Sequence, residues 1–290
     1  MIDYKNTLNQ SIQRKKKIID KEVSFYNEIP LFSWVEISPI DACNRKCEFC
    51  PKADEENFPD TYSRMDLKLI EKLKKEFEII GFDKTVVFAG YGEPLLNKNI
   101  YKMIEILSDV CQVEVTTNGD PLNEKVIKKL INSGISKIVV SLYDGPEQID
   151  YYSNLFLKAE APKEKFVLRD RWYKIDDGYG LMLTNRAGTL DFKNKNLPEN
   201  ITNKCFYTHY SMMIDWNGDV FLCTQDWNRK IKSGNISEDK LIDIWNSELL
   251  KKFRLNLSNG FRKDSPCLNC NANGTLHGEA HVKAWEKYYK

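Results

Sequence analysis

Three cysteines within eight residues, Cys43, Cys47 and Cys50, constrain this chain more than any other feature in it. A loop that places three thiolates this close can grip one metal centre, and it leaves that centre one protein ligand short. Structural zinc normally closes with four ligands, and a simple iron–sulfur carrier takes four cysteines. The spacing therefore predicts a cluster with one iron open to a small molecule. A zinc knuckle that borrows its fourth ligand from elsewhere in the chain is the alternative.

Composition narrows the classes around that loop. The 290 residues suit one sizeable domain and a smaller one, and a hydrophobic content of 42% is enough for a core. Acidic and basic residues nearly cancel, at a formal charge of +1, so the basic excess of a nucleic-acid surface is missing. No run approaches the ~18 apolar residues of a membrane span. The first thirty residues are charged and lack a signal peptide's apolar core and cleavage site. Neither nucleic acid nor membrane is expected as a partner, and a cytoplasmic, reducing location is. In such a compartment grouped cysteines read as metal-binding rather than disulfide-bonded. Cys205, Cys223, Cys267 and Cys270 form a second group, while Cys111 stands alone as a small buried hydrophobe. The basic run Arg14–Lys17 reads as a solvated helix face without a site, and His209, His277 and His281 show no ligand spacing.

Strands are expected over 33–37, 85–88, 112–116, 137–142 and 165–168, with helices over 67–80, 100–110, 123–133 and 146–159 between them. That alternation argues for an α/β fold with a parallel sheet and right-handed crossovers: a partial (β/α) barrel, open at one side. Ligand sites in such barrels gather at the carboxyl ends of the strands, where the cysteine loop, Gly92, Glu93, Thr116, Asn118 and Ser141 all fall. Residues 169–190 read as irregular strands or a hairpin, and 191–203 as a polar linker. Trp216-Asn217-Gly218 marks a hairpin turn. The expected organisation is a lead-in helix over 1–30, the barrel over 31–190, a small cysteine-bearing domain with a hairpin and a helix over 200–275, and a tail over 276–290 carrying Trp285.

Cys-x3-Cys-x2-Cys with an aromatic before its last cysteine resembles the signature of the radical SAM superfamily. Gly90-Tyr91-Gly92-Glu93-Pro94 resembles that family's glycine–glutamate–proline element, with Tyr91 where many members carry glycine. The resemblance implies a 4Fe–4S cluster on Cys43, Cys47 and Cys50, its fourth iron chelated by S-adenosylmethionine (SAM). It further implies that Gly92 lets the backbone approach the methionine moiety and that Glu93 partners the α-ammonium. Thr116, Asn118 and Ser141 would contact ribose and methionine, Phe49 the adenine, and Arg169 the SAM carboxylate. Without the resemblance, Glu93 is a surface acid and the strand-end polar residues cap the helices that follow.

The second cysteine group lacks the two tight pairs of a zinc ribbon, because a whole hairpin separates Cys205 from Cys223. It resembles the twitch domain, a shortened SPASM domain, and four cysteines would fully ligate an auxiliary 4Fe–4S cluster. Structural zinc remains the other reading. Arg186 lies nineteen residues before the first of these ligands. It is either a surface cation or one that reaches a polar substrate between barrel mouth and auxiliary cluster.

The implied reaction begins with one electron from a flavodoxin- or ferredoxin-like donor, continues with reductive cleavage of SAM, and passes to a 5′-deoxyadenosyl radical that abstracts hydrogen from a small polar substrate. A fully ligated auxiliary cluster would accept an electron, as oxidation of a sugar or cyclitol hydroxyl requires. The auxiliary spacing is very similar to that of a cyclitol-oxidising dehydrogenase in the twitch group. Modification of a ribosomal peptide is a rival, and so is a non-enzymatic iron–sulfur or zinc module. The general base is not identifiable from the residues.

Overall fold

Alternation along the strands sorts this protein's side chains onto two faces, and that division creates the site. The structure, a computed structural model, describes residues 13–171, 173–174, 178–179, 184–191 and 203–289. The expected irregular segment at 180–183 and most of the expected linker lie outside them.

Residues 13–19 form helix α1. A short hairpin of β1 (Phe25–Tyr26) and β2 (Ile29–Pro30) follows, then β3 (Trp34–Ile37), which leads to the cysteine loop. Next come α2 (Leu67–Ile80), β4 (Thr85–Phe88), α3 (Ile100–Ser108), β5 (Gln112–Thr117) and α4 (Glu124–Asn132). After them run β6 (Lys137–Leu142), α5 (Glu147–Lys158) and β7 (Phe166–Asp170). The helices start where short polar side chains satisfy free N–H groups: Asp66 accepts from Lys68 N and Asn123 from Val126 N. α2 buries Ile70, Leu73, Phe77 and Ile80 on one stripe and ends at Gly81 in the left-handed region. β7 extends two residues past its expected end, so Arg169 lies inside the strand.

Beyond β7, β8 (Tyr173–Lys174) and β9 (Gly178–Tyr179) pair antiparallel. The C-terminal region contributes α6 (Tyr207–Tyr210), β10 (Ser211–Ile214), β11 (Asp219–Phe221), β12 (Lys232–Asn235), α7 (Leu241–Trp245), α8 (Glu248–Ser258) and α9 (Glu279–Trp285). Trp285 is fully buried, as the tail was expected to place it.

Sheet order is β12-β11-β10-β3-β4-β5-β6-β7. β3 through β7 are mutually parallel. β10 is also parallel to β3, with Met213 opposite Glu36, while β11 and β12 add antiparallel. The expected hairpin is present, but its first strand extends the barrel sheet, so one continuous sheet joins the strand before the first cysteine loop to the hairpin that leads to Cys223. Outward positions Val35, Ile37, Val86, Phe88, Val113, Val115, Ile138, Val140 and Leu142 join the main core under the helices. The opposite face is largely polar and encloses a lumen.

Candidate active site

A cavity of about 410 Å³ occupies the lumen and opens at the carboxyl ends of β3 to β7. Cys43, Cys47 and Cys50 line it on one side, and all three are free thiols, half-buried. The loop's charged residues tie it to the neighbouring strand ends. Arg45 donates to Asp120 after β5 and to Asp144 after β6, with Nη1 at 2.8 Å from Asp144 Oδ1. Lys52, itself buried, donates to Asp41 Oδ1 at 2.6 Å and to Pro59 O at 2.8 Å. Burial pushes the Cys43 thiol up to about 11 and Cys47 to about 12, so metal binding at neutral pH must release protons.

Glu93 lies under this loop, 3% exposed. Its carboxylate accepts from Thr117 Oγ1 at 2.8 Å, Asn118 N at 2.8 Å and Leu95 N at 3.1 Å. These donors are neutral, and among the described residues no cation pairs with it. Burial accordingly raises its pKa to about 7 against those hydrogen bonds. A buried carboxylate with this shortfall is built to receive a positive group. Gly92 has a different steric reason from the one expected. A Cβ there would meet Ile40 O at 2.4 Å and Ala42 O at 2.5 Å, so glycine lets the turn pass under the backbone that leads into the cysteine loop.

The other expected contacts separate. Thr116, Asn118, Phe49, Arg169 and Arg186 all line the cavity. Asn118 Nδ2 donates to Asn44 Oδ1 at 2.8 Å and lies 3.9 Å from Cys43 Sγ. Phe49 stands against Tyr143, centroids 5.2 Å apart. Ser141 is fully buried and is not part of the cavity wall; its Oγ accepts from Arg169 Nη2 at 2.7 Å. It orients the arginine from behind, a role invisible in a linear reading because it depends on the β6–β7 register.

Sequence reasoning missed the lower lumen. The basic run at 14–17 is not simply a solvated face: Arg14 and Lys15 line the cavity, and Arg14 forms an ion pair with Glu114. Lys15 Nζ sits 4.4 Å from the Trp34 ring centroid, and burial lowers its pKa to about 8 despite Glu36 nearby. Glu36 and Arg171 line the same space, as does His277, which burial keeps neutral with a pKa of about 4. A signal did exist. Glu36 and Glu114 interrupt apolar strands at alternate positions facing one way, and acids inside otherwise buried strands need a polar interior.

The second cysteine group also comes together. Cys205, Cys223, Cys267 and Cys270 line one small cavity. Gly274 packs so closely that a Cβ would meet Cys205 Sγ at 2.3 Å. Arg262 donates to Cys270 O at 2.8 Å and Ala272 O at 2.9 Å, and its charge favours the thiolates of Cys205 and Cys267 against burial. Among the described residues no three His, Cys, Asp or Glu side chains gather closely enough to hold a single metal ion. Neither cysteine group is a pre-closed zinc site; each lines a hollow, which suits the larger body of a cluster. Tyr207 and Gln225 line both cavities and so form the partition between them.

Residues 37–166 match the model of the radical SAM superfamily, and 205–271 match the SPASM iron–sulfur cluster-binding domain. The chain is 32% identical over 249 residues to the S-adenosyl-L-methionine-dependent 2-deoxy-scyllo-inosamine dehydrogenase of Niallia circulans, covering 83% of this chain and 93% of that protein. This protein belongs to the radical SAM family. As a radical SAM oxidoreductase related to a SAM-dependent dehydrogenase, it binds SAM and a 4Fe–4S cluster, and its C-terminal region is an auxiliary iron–sulfur domain. The solved structure of BtrN in complex with AdoMet and 2-DOIA superposes with a TM-score of 0.72 at 31% identity, covering 86% of this chain and 97% of that one. Native anSMEcpe with bound AdoMet shares the fold at a TM-score of 0.55 and 15% identity, over 88% of this chain and 96% of that one. GTP 3',8-cyclase of Clostridium perfringens (strain SM101 / Type A) matches at 34% identity over 112 residues, 38% of this chain and 34% of its own length. No helix among the described residues is long and apolar enough to cross a membrane.

Proposed function

We propose that this radical SAM enzyme oxidises a secondary hydroxyl of a small polyol, a sugar or cyclitol, to a ketone. Such an oxidation removes one hydrogen atom, one proton and one electron from the carbinol group. When bound at Cys43, Cys47 and Cys50, the cluster and SAM supply the hydrogen-abstracting chemistry. Glu93, ionised, pairs with the cofactor's ammonium, Phe49 lies against its adenine, Thr116 and Asn118 hold its polar body, and Ser141 steadies Arg169 against its carboxylate. Cys205, Cys223, Cys267 and Cys270 provide a fully ligated second site that can take the remaining electron. Arg186 reaches the substrate from the auxiliary side.

The observation that carries this reading is the shared wall of Tyr207 and Gln225. A four-thiol site one side chain from the reacting lumen is placed to exchange electrons with a substrate while binding none of its atoms. The likeness to a SAM-dependent dehydrogenase over most of the chain supports the same direction. Electrons enter from a flavodoxin- or ferredoxin-like donor in a reducing cytoplasm.

The test is anaerobic turnover of reconstituted protein with SAM and a reductant, across polyols and short peptides. The expected result is 5′-deoxyadenosine formed with a polyol, together with a product two hydrogens lighter. Peptide-dependent formation alone would transfer the case to peptide modification.

A further inference from the structure

Charge in the lumen is unevenly distributed, with the acids gathered on some of the cations and not on others. Arg14 is matched by Glu114, Arg45 by Asp120 and Asp144, and Lys52 by Asp41 and Asp60. Arg169, Arg171 and Arg186 line the same cavity, and among the described residues none of them has a carboxylate within ion-pairing distance. Arg169 has Ser141 as its hydrogen-bond partner; the Nε of Arg169 and of Arg186 are buried and unpartnered. Two carboxylates line the cavity, Glu93 beside the cysteine loop and Glu36, which faces Arg186 and Arg169 and is shared with Lys15. The guanidinium groups are near enough to repel: burial, and then the charges of Arg169 and Arg186, pull Arg171 down to about 9. Like charges crowded in a poorly solvated space destabilise one another unless an anion arrives.

Arg186 is also held in an unusual conformation. Arg186 and Ala187 adopt φ of 47° and 54°, left-handed values that side chains other than glycine rarely take. Asn185 fastens this turn to the loop around Cys267 and Cys270 through Asn269 and Asn271. A strained turn maintained by three hydrogen bonds and presenting a cation to a cavity fits a ligand contact better than an idle surface charge.

On the proposed reading the carboxylate of the cofactor's amino-acid end takes one arginine, Arg169, which Ser141 orients, while Arg186 also faces the Cys50 thiol. Two remain. We infer that the polyol substrate carries an anionic group, a phosphate or a carboxylate, seated between Arg171 and Arg186. Guanidinium forks match either group through paired hydrogen bonds. An amine on the substrate would instead bring a further positive charge to the same place. The inference rests on the hydroxyl-oxidation reading and adds the substrate's charge to it.

Isothermal titration of the reconstituted, SAM-bound protein under anaerobic conditions tests it. One series compares a hexose phosphate, a hexuronate, the neutral hexose and the amino-hexose; a second compares an inositol phosphate, inositol and an aminocyclitol. Inorganic phosphate and acetate report the anion alone. The expected result is an anionic member binding about tenfold or more tightly than its neutral parent, with the amine weakest. Preference for phosphate or carboxylate then identifies the group. Arg171→Gln and Arg186→Gln should each cut the anion-to-neutral ratio about tenfold, and Arg186→Lys should restore part of it. The inference is overturned if neutral or amino compounds bind as tightly as the anions, if no compound binds, or if the ratio survives both substitutions. Turnover separates the two claims. Oxidation of neutral or amino polyols alone would sink the anion seat and leave hydroxyl oxidation standing. Anion-selective binding without oxidation of any polyol would do the reverse.

Discussion

Asn185 and Asn271 exchange hydrogen bonds in both directions. The Asn185 N–H donates to Asn271 Oδ1 at 2.8 Å, and the Asn271 N–H donates to Asn185 Oδ1 at 3.2 Å. Asn271 directly follows Cys270, and Asn185 directly precedes Arg186. The auxiliary site and the wall of the substrate cavity are thereby one mechanical unit, with Asn185 Nδ2 adding a third bond to Asn269 O.

Asn185→Ala removes the two side-chain bonds, to Asn271 N and Asn269 O, and leaves the left-handed turn at Arg186 and Ala187 tied to that loop by the backbone bond to Asn271 Oδ1 alone. The expected cost is about 1–3 kcal/mol of stability, from the stranded donors and acceptors. A substrate dissociation constant about tenfold higher should accompany it as Arg186 relaxes. Urea unfolding and titration of the SAM-bound protein check the two effects, and unchanged substrate affinity would separate the turn from the site.

The proposed pairing of Glu93 with the cofactor's ammonium predicts pH-dependent SAM binding. Its pKa in the ligand-free fold, about 7, lies above the ordinary 4.5. The folded state therefore holds this proton more tightly than the unfolded state. The stability it contributes is full below the unfolded value and is lost as pH rises toward 7, by up to about 3 kcal/mol. Pairing with the cofactor's ammonium needs the carboxylate, so SAM affinity should rise over the same interval. Melting temperature against pH, with and without SAM, should show opposite trends, and Glu93→Gln should flatten both while weakening SAM binding at least tenfold.

Tyr91 ties the turn that carries Glu93 to the C-terminal region. Its hydroxyl donates to Asp226 O at 3.1 Å, its ring meets Trp227 edge-on at 4.8 Å, and Arg229 lies 4.5 Å from its centroid. Tyr91→Phe should cost about 1 kcal/mol for the lost hydrogen bond, and Tyr91→Ala about 3–5 kcal/mol for the cavity. Chemical denaturation measures both. Equal effects would mean that the hydroxyl, not the ring, carries the junction.

Arg262 braces the auxiliary site through the carbonyls of Asn203, Cys270 and Ala272. Arg262→Leu removes those bonds and the positive charge that favours the Cys205 and Cys267 thiolates. Iron per chain after reconstitution should fall by about half, on the proposal that the auxiliary cluster that is lost holds four irons like the first. SAM binding at the first site should persist, and full iron content would show that the four thiols suffice without the brace.

Local patterns in the chain determined a good deal. The thiol spacing of Cys43, Cys47 and Cys50, the carboxylate at Glu93 and the strand–helix alternation are read over short distances, and side-chain period and turn chemistry act over the same range. Those signals placed the strands, the helices and the rim on which the polar groups gather. Tertiary structure decided what lies opposite what. Ser141 turned from the expected cofactor contact to an anchor for Arg169 because β6 and β7 set them side by side. The hairpin after residue 210 joined the barrel because β10 found the open edge of β3, an unpaired row of backbone groups that sequence does not display. Arg14 and Lys15 became part of the lumen because a strand interior holding Glu36 and Glu114 needs cations, and the helix that supplies them is about a hundred residues from Glu114 along the chain. Long-range charge matching of this kind depends on where buried acids meet in space, and only the folded chain defines that.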